Sequence, residues 1–187
     1  VNSPLKIISM ALFSSFMFIT VSPLAQASNN HPCAAPEAAQ FNFWLGEWEL
    51  TWPAEQWGGK PDELGRGVNH IRKILGECII EENFQFPKQN FNGRSLSAYN
   101  AKKAVWQQTW VDNQGGYLLF TGKFEDNKME LRTEPFERKG KTLISRMVFK
   151  NITDQSFDWD WQRSDNLGES WKDLWNIHYE RKQLDMK

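Results

Sequence analysis

Two runs decide the fold: Ser156-Phe157-Asp158-Trp159-Asp160-Trp161-Gln162-Arg163, and then Trp171-Lys172-Asp173-Leu174-Trp175-Asn176-Ile177-His178-Tyr179-Glu180-Arg181. Apolar and polar residues alternate in both. A period of two sends successive side chains to opposite faces of a strand. Phe157, Trp159, Trp161 and Arg163 then share one face, against Asp158, Asp160 and Gln162. In the second run Trp171, Asp173, Trp175, Ile177, Tyr179 and Arg181 share a face, and Lys172, Leu174, Asn176, His178 and Glu180 form a mostly polar opposite one. Large aromatics spaced in this way build the wall of a β-barrel or sandwich, and they can also wall a ligand pocket.

Upstream the pattern repeats. Strand runs are expected near residues 47–52, 67–75, 78–85, 94–100, 104–111, 117–125, 128–134 and 143–150, besides 156–163 and 171–181. Turn chemistry separates them at Asn92-Gly93, Asp112–Gly116, Glu125-Asp126-Asn127 and Lys139-Gly140. About ten short strands without a long helix read as an all-β antiparallel meander closed into a barrel. Closure removes the sheet edges. A two-sheet sandwich is the alternative. For 143–150 both faces are mixed and neither is assigned. The segment 53–66, rich in Gly and Pro, reads as a lid over a site or as a plain surface loop.

The N-terminal segment is read as a signal peptide over residues 1–27. Lys6 is its only charge, an apolar stretch follows from Ile7 to Leu24, and Ala25-Gln26-Ala27 supplies a small-x-small cleavage site. Residues 28–40 form an arm with one expected helical turn at 36–40, and residues 41–187 one barrel domain. A periplasmic or secreted protein is expected. The formal net charge of −1 offers no field for nucleic acid or an anionic membrane. No run after the signal approaches the roughly 18 apolar residues that span a bilayer. A monomer or dimer is expected.

An oxidising compartment makes Cys33 and Cys78 the expected disulfide, closing a loop of about 45 residues worth about 3–4 kcal/mol. Ser164-Asp165-Asn166-Leu167-Gly168-Glu169-Ser170-Trp171 has the spacing of an Asp-box hairpin, with Asn166 at the usual Asp position. The Asx side chain is expected to bond turn amides while Trp171 packs beneath, a folding device without catalytic meaning.

Four motifs in order carry a resemblance: Phe41-Asn42-Phe43-Trp44-Leu45-Gly46-Glu47-Trp48, Gly76-Glu77-Cys78-Ile79-Ile80-Glu81-Glu82, Gly93-Arg94-Ser95-Leu96-Ser97-Ala98-Tyr99 and Trp106-Gln107-Gln108-Thr109-Trp110-Val111-Asp112. Over residues 41–181 the chain resembles a bacterial family of exported proteins known as a domain of unknown function. The resemblance implies a calycin-like barrel, akin to lipocalins and nitrobindins, and supplies no catalytic residue. Gly46-Glu47-Trp48 also looks like the lipocalin G-x-W, whose Trp closes the barrel base under an Arg from the final strand. Arg181 is the matching residue, in a cation–π contact with Trp48 of about 0.5–2 kcal/mol.

That register turns Trp48, Leu50 and Trp52 inward. A cavity walled by Trp110, Trp159, Trp161, Trp175 and Tyr179 would suit a small hydrophobic or amphipathic ligand, with Gln108, Arg163 and Asp173 orienting it. The same aromatics could instead fill the barrel as a structural or interaction module. Nitrobindin-like barrels hold haem by a His on a late strand, which makes His178 the candidate axial ligand, although its face points outward. No cofactor or metal is otherwise expected, because His31 and His70 lack metal-ligand spacing. An enzyme acting at the barrel mouth is the remaining reading; there is no nucleophile elbow, H-E-x-x-H or P-loop. The neighbouring carboxylates Glu81-Glu82 and Asp158/Asp160 would make a glycosidase pair only at a suitable spatial separation. Asp158 and Asp160 share one polar strand face and read as solvated, and stacked tryptophans leave carbohydrate binding without hydrolysis open.

Overall fold

The computed structural model describes residues 33–183. The expected signal peptide over 1–27 and His31 lie outside them. Among the described residues eleven strands follow one another: β1 (Gly46–Pro53), β2 (Leu64–Ile74), β3 (Ile79–Phe86), β4 (Phe91–Asn100), β5 (Val105–Asp112), β6 (Tyr117–Glu125), β7 (Lys128–Arg132), β8 (Phe136–Arg138), β9 (Lys141–Lys150), β10 (Ser156–Ser164) and β11 (Lys172–Arg181). Ten of them close an antiparallel ring. Each pairs with its sequence neighbour, except that β7 passes directly to β9, and β11 returns to β1. The short β8 pairs only with β9 and forms a side hairpin. A closed ring replaces the sandwich alternative and leaves none of the ten strands with a free edge.

Ring closure rests on the β1–β11 ladder, in which Trp48 lies opposite Arg181. The Arg181 guanidinium sits 4.2 Å from the Trp48 ring centroid. It also donates to the carbonyls of Leu45 (2.8 Å), Phe43 (3.4 Å) and Asp154 (2.8 Å). Trp48 is buried, donates to the Trp44 carbonyl at 2.8 Å, and meets Phe157 edge-on at 4.9 Å. The G-x-W expectation therefore holds in its geometry. Gly46 is required by the same clamp. Its φ is +122°, and a Cβ there would collide with the guanidinium.

The segment before β1 plugs this end of the barrel. Two short 3₁₀ turns, Pro36–Ala39 and Asn42–Trp44, carry Phe41 and Trp44 into the core. Phe41 stacks on Trp44 at 4.8 Å and meets Phe149 at 5.1 Å and Trp106 at 5.2 Å. Gln40 accepts from the Trp106 indole. The disulfide Cys33–Cys78, with Cα atoms 5.3 Å apart, fastens the start of the plug to the residue before β3.

The expected alternation holds for Trp48, Leu50 and Trp52, and for Trp175, Ile177 and Tyr179, all buried. It breaks at Leu174. Trp161 lies opposite Trp175, but Gln162 lies opposite Asp173, so Leu174 is the extra residue of a β-bulge. One extra residue moves everything before it to the other face. Asp173, expected inward, is exposed and accepts from Gln162 at 2.6 Å. Trp171 flips with it and covers the guanidinium of Arg146 at 4.0 Å and that of Arg132 at 5.2 Å. The Asx turn before it forms as expected. The Asn166 Oδ1 accepts from the Ser170 amide at 3.0 Å, and the Ser164 hydroxyl accepts from the Gly168 amide at 2.8 Å.

Two further expectations are corrected. Asn92-Gly93 is not a turn. It lies inside β4, and the reversal is made by Pro87–Gln89 with Asn90 at φ +48°. Gly93 is small because the Trp110 ring lies over it, where a Cβ would collide. On β9, Leu143, Ser145, Met147 and Phe149 alternate with Ile144, Arg146, Val148 and Lys150. Met147 and Phe149 belong to the core cluster. A polar Ser145 on the inner face and an apolar Val148 on the outer one hid that alternation from hydropathy.

Replacing Arg181 by Met removes the cation–π contact and leaves three carbonyls without their donor. Urea unfolding should show a loss of about 1–3 kcal/mol. A double-mutant cycle with Trp48→Leu should show coupling of about 0.5–2 kcal/mol. Zero coupling would mean that Arg181 acts through the carbonyls alone.

Candidate functional site

Ten strands enclose more volume than the inward side chains fill, and a partly enclosed cavity of about 240 Å³ remains. Its floor is Trp44 of the plug and Phe149; its wall includes Phe84, Phe120, Met147, Ile177 and Tyr179. Trp110, Trp159 and Trp161 line it while half-buried, and Trp175 lines it while buried. Trp57, on the β1–β2 connection, completes the set by packing on Trp175 (4.7 Å), Phe91 (5.5 Å) and Phe86 (5.6 Å). That connection is held down beyond Trp57 itself. Gln56 donates to the Asn176 side chain and accepts from the Asn176 amide, each at 3.0 Å. Of the two readings of segment 53–66, the structure supports a loop that contributes directly to the cavity.

Five of the expected ligand residues therefore line the cavity: Trp110, Trp159, Trp161, Trp175 and Tyr179. The three polar ones do not. Gln108 is buried on the inner face of β5 but is not part of the lining; its Nε2 donates to the Ser97 hydroxyl at 2.8 Å. Arg163 lies opposite Ser145 and donates to its hydroxyl at 3.3 Å, beyond the lining. Asp173 is outside the barrel through the Leu174 bulge. His178 is also on the outer face, where its Nδ1 lies 2.8 Å from the Asp158 carboxylate. These residues do not fit a haem held by His178 inside the barrel.

The polar chemistry of the cavity comes instead from β3. Its inner residues read Ile80, Glu82, Phe84 and Phe86, so a carboxyl stands in an otherwise apolar face. Glu82 is buried, and its two oxygens accept from Asn69 Nδ2 at 2.7 Å and the Ser95 hydroxyl at 2.6 Å. Asn69 also donates to the Tyr179 hydroxyl at 3.2 Å. Burial raises the Glu82 pKa from its ordinary 4.5 to about 7, with the two hydrogen bonds opposing that rise. Burial, and then the neighbouring Glu82 charge, raise Tyr179 well above its usual value, so it stays a phenol. The other carboxylate on the lining, Asp112, accepts from the Trp110 indole at 3.0 Å and from the Gln114 and Gly116 amides at 2.9 Å. It holds Trp110 in place across the following turn.

Glu82, Asn69 and Ser95 were not singled out as site residues from the sequence. Alternation was the signal available, since a glutamate between Ile80 and Phe84 on one face is out of place there. Its adjacency to Glu81 masked that. Glu81 faces outward and pairs with Arg72 at 2.7 Å, as an ordinary surface carboxylate does. The outer pair Asp158 and Asp160 is partnered as well. Asp158 binds His178 and Asn151, and the buried Asp160 pairs with Lys150 at 2.5 Å and Asn176 at 2.8 Å.

The buried carboxyl has a calculable effect on stability. Because the folded pKa lies above the unfolded one, the native state keeps a proton that the unfolded chain releases between about pH 4.5 and 7. Stability then falls as pH rises through that window. The penalty is absent below it and complete above it, on the order of 3 kcal/mol. Glu82→Gln should therefore melt near the wild-type temperature at about pH 5 and several degrees above it at about pH 8. A difference that does not change with pH would refute the assignment.

Comparisons with known proteins add a family and one relative. The sequence profile described as "Protein of unknown function (DUF1579)" matches residues 35–181, from the plug to the last residue of β11. Ribosome maturation factor RimM of Oenococcus oeni is 27% identical over 124 residues, covering 61% of this chain and 74% of that protein.

Proposed function

The chain belongs to the DUF1579 family, a β-barrel family whose description assigns no activity, and from that premise we propose that it is an exported carrier, calycin-like in use, that holds a small hydrophobic or amphipathic molecule in its aromatic cavity. The observation that carries the reading is the cavity itself. A barrel serving only as a scaffold has reason to pack its interior fully, because empty space forfeits contact energy. Here six tryptophans, Trp44, Trp57, Trp110, Trp159, Trp161 and Trp175, surround about 240 Å³ with a single deeply buried carboxyl among them. A mostly apolar, concave lining with few polar groups is what small-molecule sites share. The disulfide and the expected leader both support an oxidising, exported location. The likeness to a ribosome maturation factor, at 27% identity, is not carried over to this chain, whose net charge of −1 gives no general attraction to a phosphate backbone.

One observation favours a second reading. A carboxyl titrating near 7 beside a phenol is suited to moving a proton at neutral pH. An enzyme built here would use Glu82, since Asp173 lies on the outer face and Arg163 lies beyond the lining. Turnover lost in Glu82→Gln, with ligand still retained, would identify it.

Native mass spectrometry on the protein purified from its own host tests the carrier reading. A discrete added mass that is lost on denaturation is expected, on a chain beginning at Ser28 and lacking two hydrogens for the disulfide. Trp159→Ala should reduce the loaded fraction at least severalfold while leaving a cooperative melt. Equal loading in the variant, or a bare chain in every preparation, would count against it.

A further inference from the structure

Glu82 has no cation. Its two hydrogen-bond partners, Asn69 and Ser95, are neutral, and the third polar group in the cluster is the Tyr179 phenol. Among the described residues no Lys, Arg or His lines the cavity, and both ionisable carboxyls that do, Glu82 and Asp112, are acids. Buried carboxylates in proteins are ordinarily paired, because an uncompensated charge away from water is costly. Asp112 has its partners in the turn that follows it. Glu82 has only neutral ones.

The rest of the lining fits the same charge. Indole faces attract cations through the ring quadrupole, and Trp110, Trp159, Trp161 and Trp175 lie on the lining with Trp57 beside them. The Trp44 and Trp175 ring N–H groups are without protein partners, but they are neutral donors and supply no positive charge. An anionic headgroup would meet two acids and no base.

From this geometry we infer that the cavity selects a small organic ammonium, a protonated amine on an apolar body, whose charge is the missing counterion of Glu82. The inference rests on the cavity reading above and narrows its ligand class. Neutral molecules of the same shape are second best, and carboxylates such as fatty-acid anions are excluded. Binding is coupled to protons. The groups facing Glu82 are Asn69 from β2, Ser95 from β4 and Tyr179 from β11, none of which competes for the charge, so an incoming ammonium favours the ionised carboxylate. The amine therefore binds better above the pH at which Glu82 ionises, and its binding at neutral pH releases protons.

Isothermal titration calorimetry with n-octylamine, 1-octanol and octanoate separates these possibilities, because the three share a flexible chain that adapts to the cavity and differ in headgroup charge. At about pH 8.5, where the amine remains protonated, octylamine should bind about tenfold or more tighter than octanol, and octanoate weakest. At about pH 5.5 the preference for amine over alcohol should shrink several-fold, and in Glu82→Gln the ratio should approach one. The wild-type pH series stands as the second measurement if that variant folds poorly. Octanol or octanoate binding as tightly as octylamine overturns the inference and leaves the cavity reading standing. A preference insensitive to both pH and Glu82 overturns it too. No binding of any of the three at millimolar concentration removes both.

Discussion

Trp48 lies between the guanidinium of Arg181 and the edge of Phe157, and the rest of the barrel depends on that contact. The first and last ring strands are brought together with Trp48 opposite Arg181, and this register sets which face of each turns inward. A slip of one residue would send Trp48, Leu50 and Trp52 to solvent and draw Glu47, Glu49 and Thr51 into the core. The guanidinium also holds the carbonyls of Phe43 and Leu45, so the clamp that closes the ring seats the plug. Phe41 and Trp44 follow into the base, and the disulfide secures the chain just before them.

Closing one end tightly leaves the interior open above it. Aromatic rings supply the wall, and edge-on contacts such as Trp52 to Trp175 at 5.1 Å and Trp159 to Trp175 at 5.9 Å hold them apart instead of letting them collapse into the space. The wall is braced from outside the cavity as well. Trp52 and Phe86 back it at one end, and Asp112 ties Trp110 to its turn. Into this apolar interior β3 delivers Glu82, whose burial costs stability at neutral pH. Natural barrels tolerate such a group where it serves a site. The Asn69–Ser95–Tyr179 cluster positions the carboxyl without offering it a counter-charge, so one residue carries the stability and titration effects, and the proposed ligand class rests on it as well.

Legibility in the sequence followed the strength of the local signal. Strand positions were clear because Trp, Phe and Ile alternate with polar residues over runs of eight to eleven residues, as in Trp159-Asp160-Trp161 and Trp175-Asn176-Ile177. The hairpin at Asp126-Asn127, with φ of +51° and +56°, was clear from its residue types. Asn92-Gly93 carried the same type of signal for a different reason. Its glycine makes room for Trp110, a partner 17 positions along the chain that no local rule identifies. The short β8, three residues on one neighbour, falls below what alternation can register.

By itself the sequence determined an all-β antiparallel fold with an aromatic face, from a short-range period, and the Cys33–Cys78 pairing, from the small number of cysteines. The Trp48–Arg181 closure was legible only through the G-x-W resemblance, and the choice of barrel over sandwich came with ring closure. Only the tertiary structure decided which polar residues meet the cavity. A single bulge at Leu174 moved Asp173 and Trp171 to the outer face, and a bulge is set by how two strands fit together, not by either strand's pattern. Glu82 became the central polar group because ring closure sealed β2, β3, β4 and β11 around it. Burial is a property of the assembled wall, and a glutamate read along the chain carries its usual charge until that wall is in place.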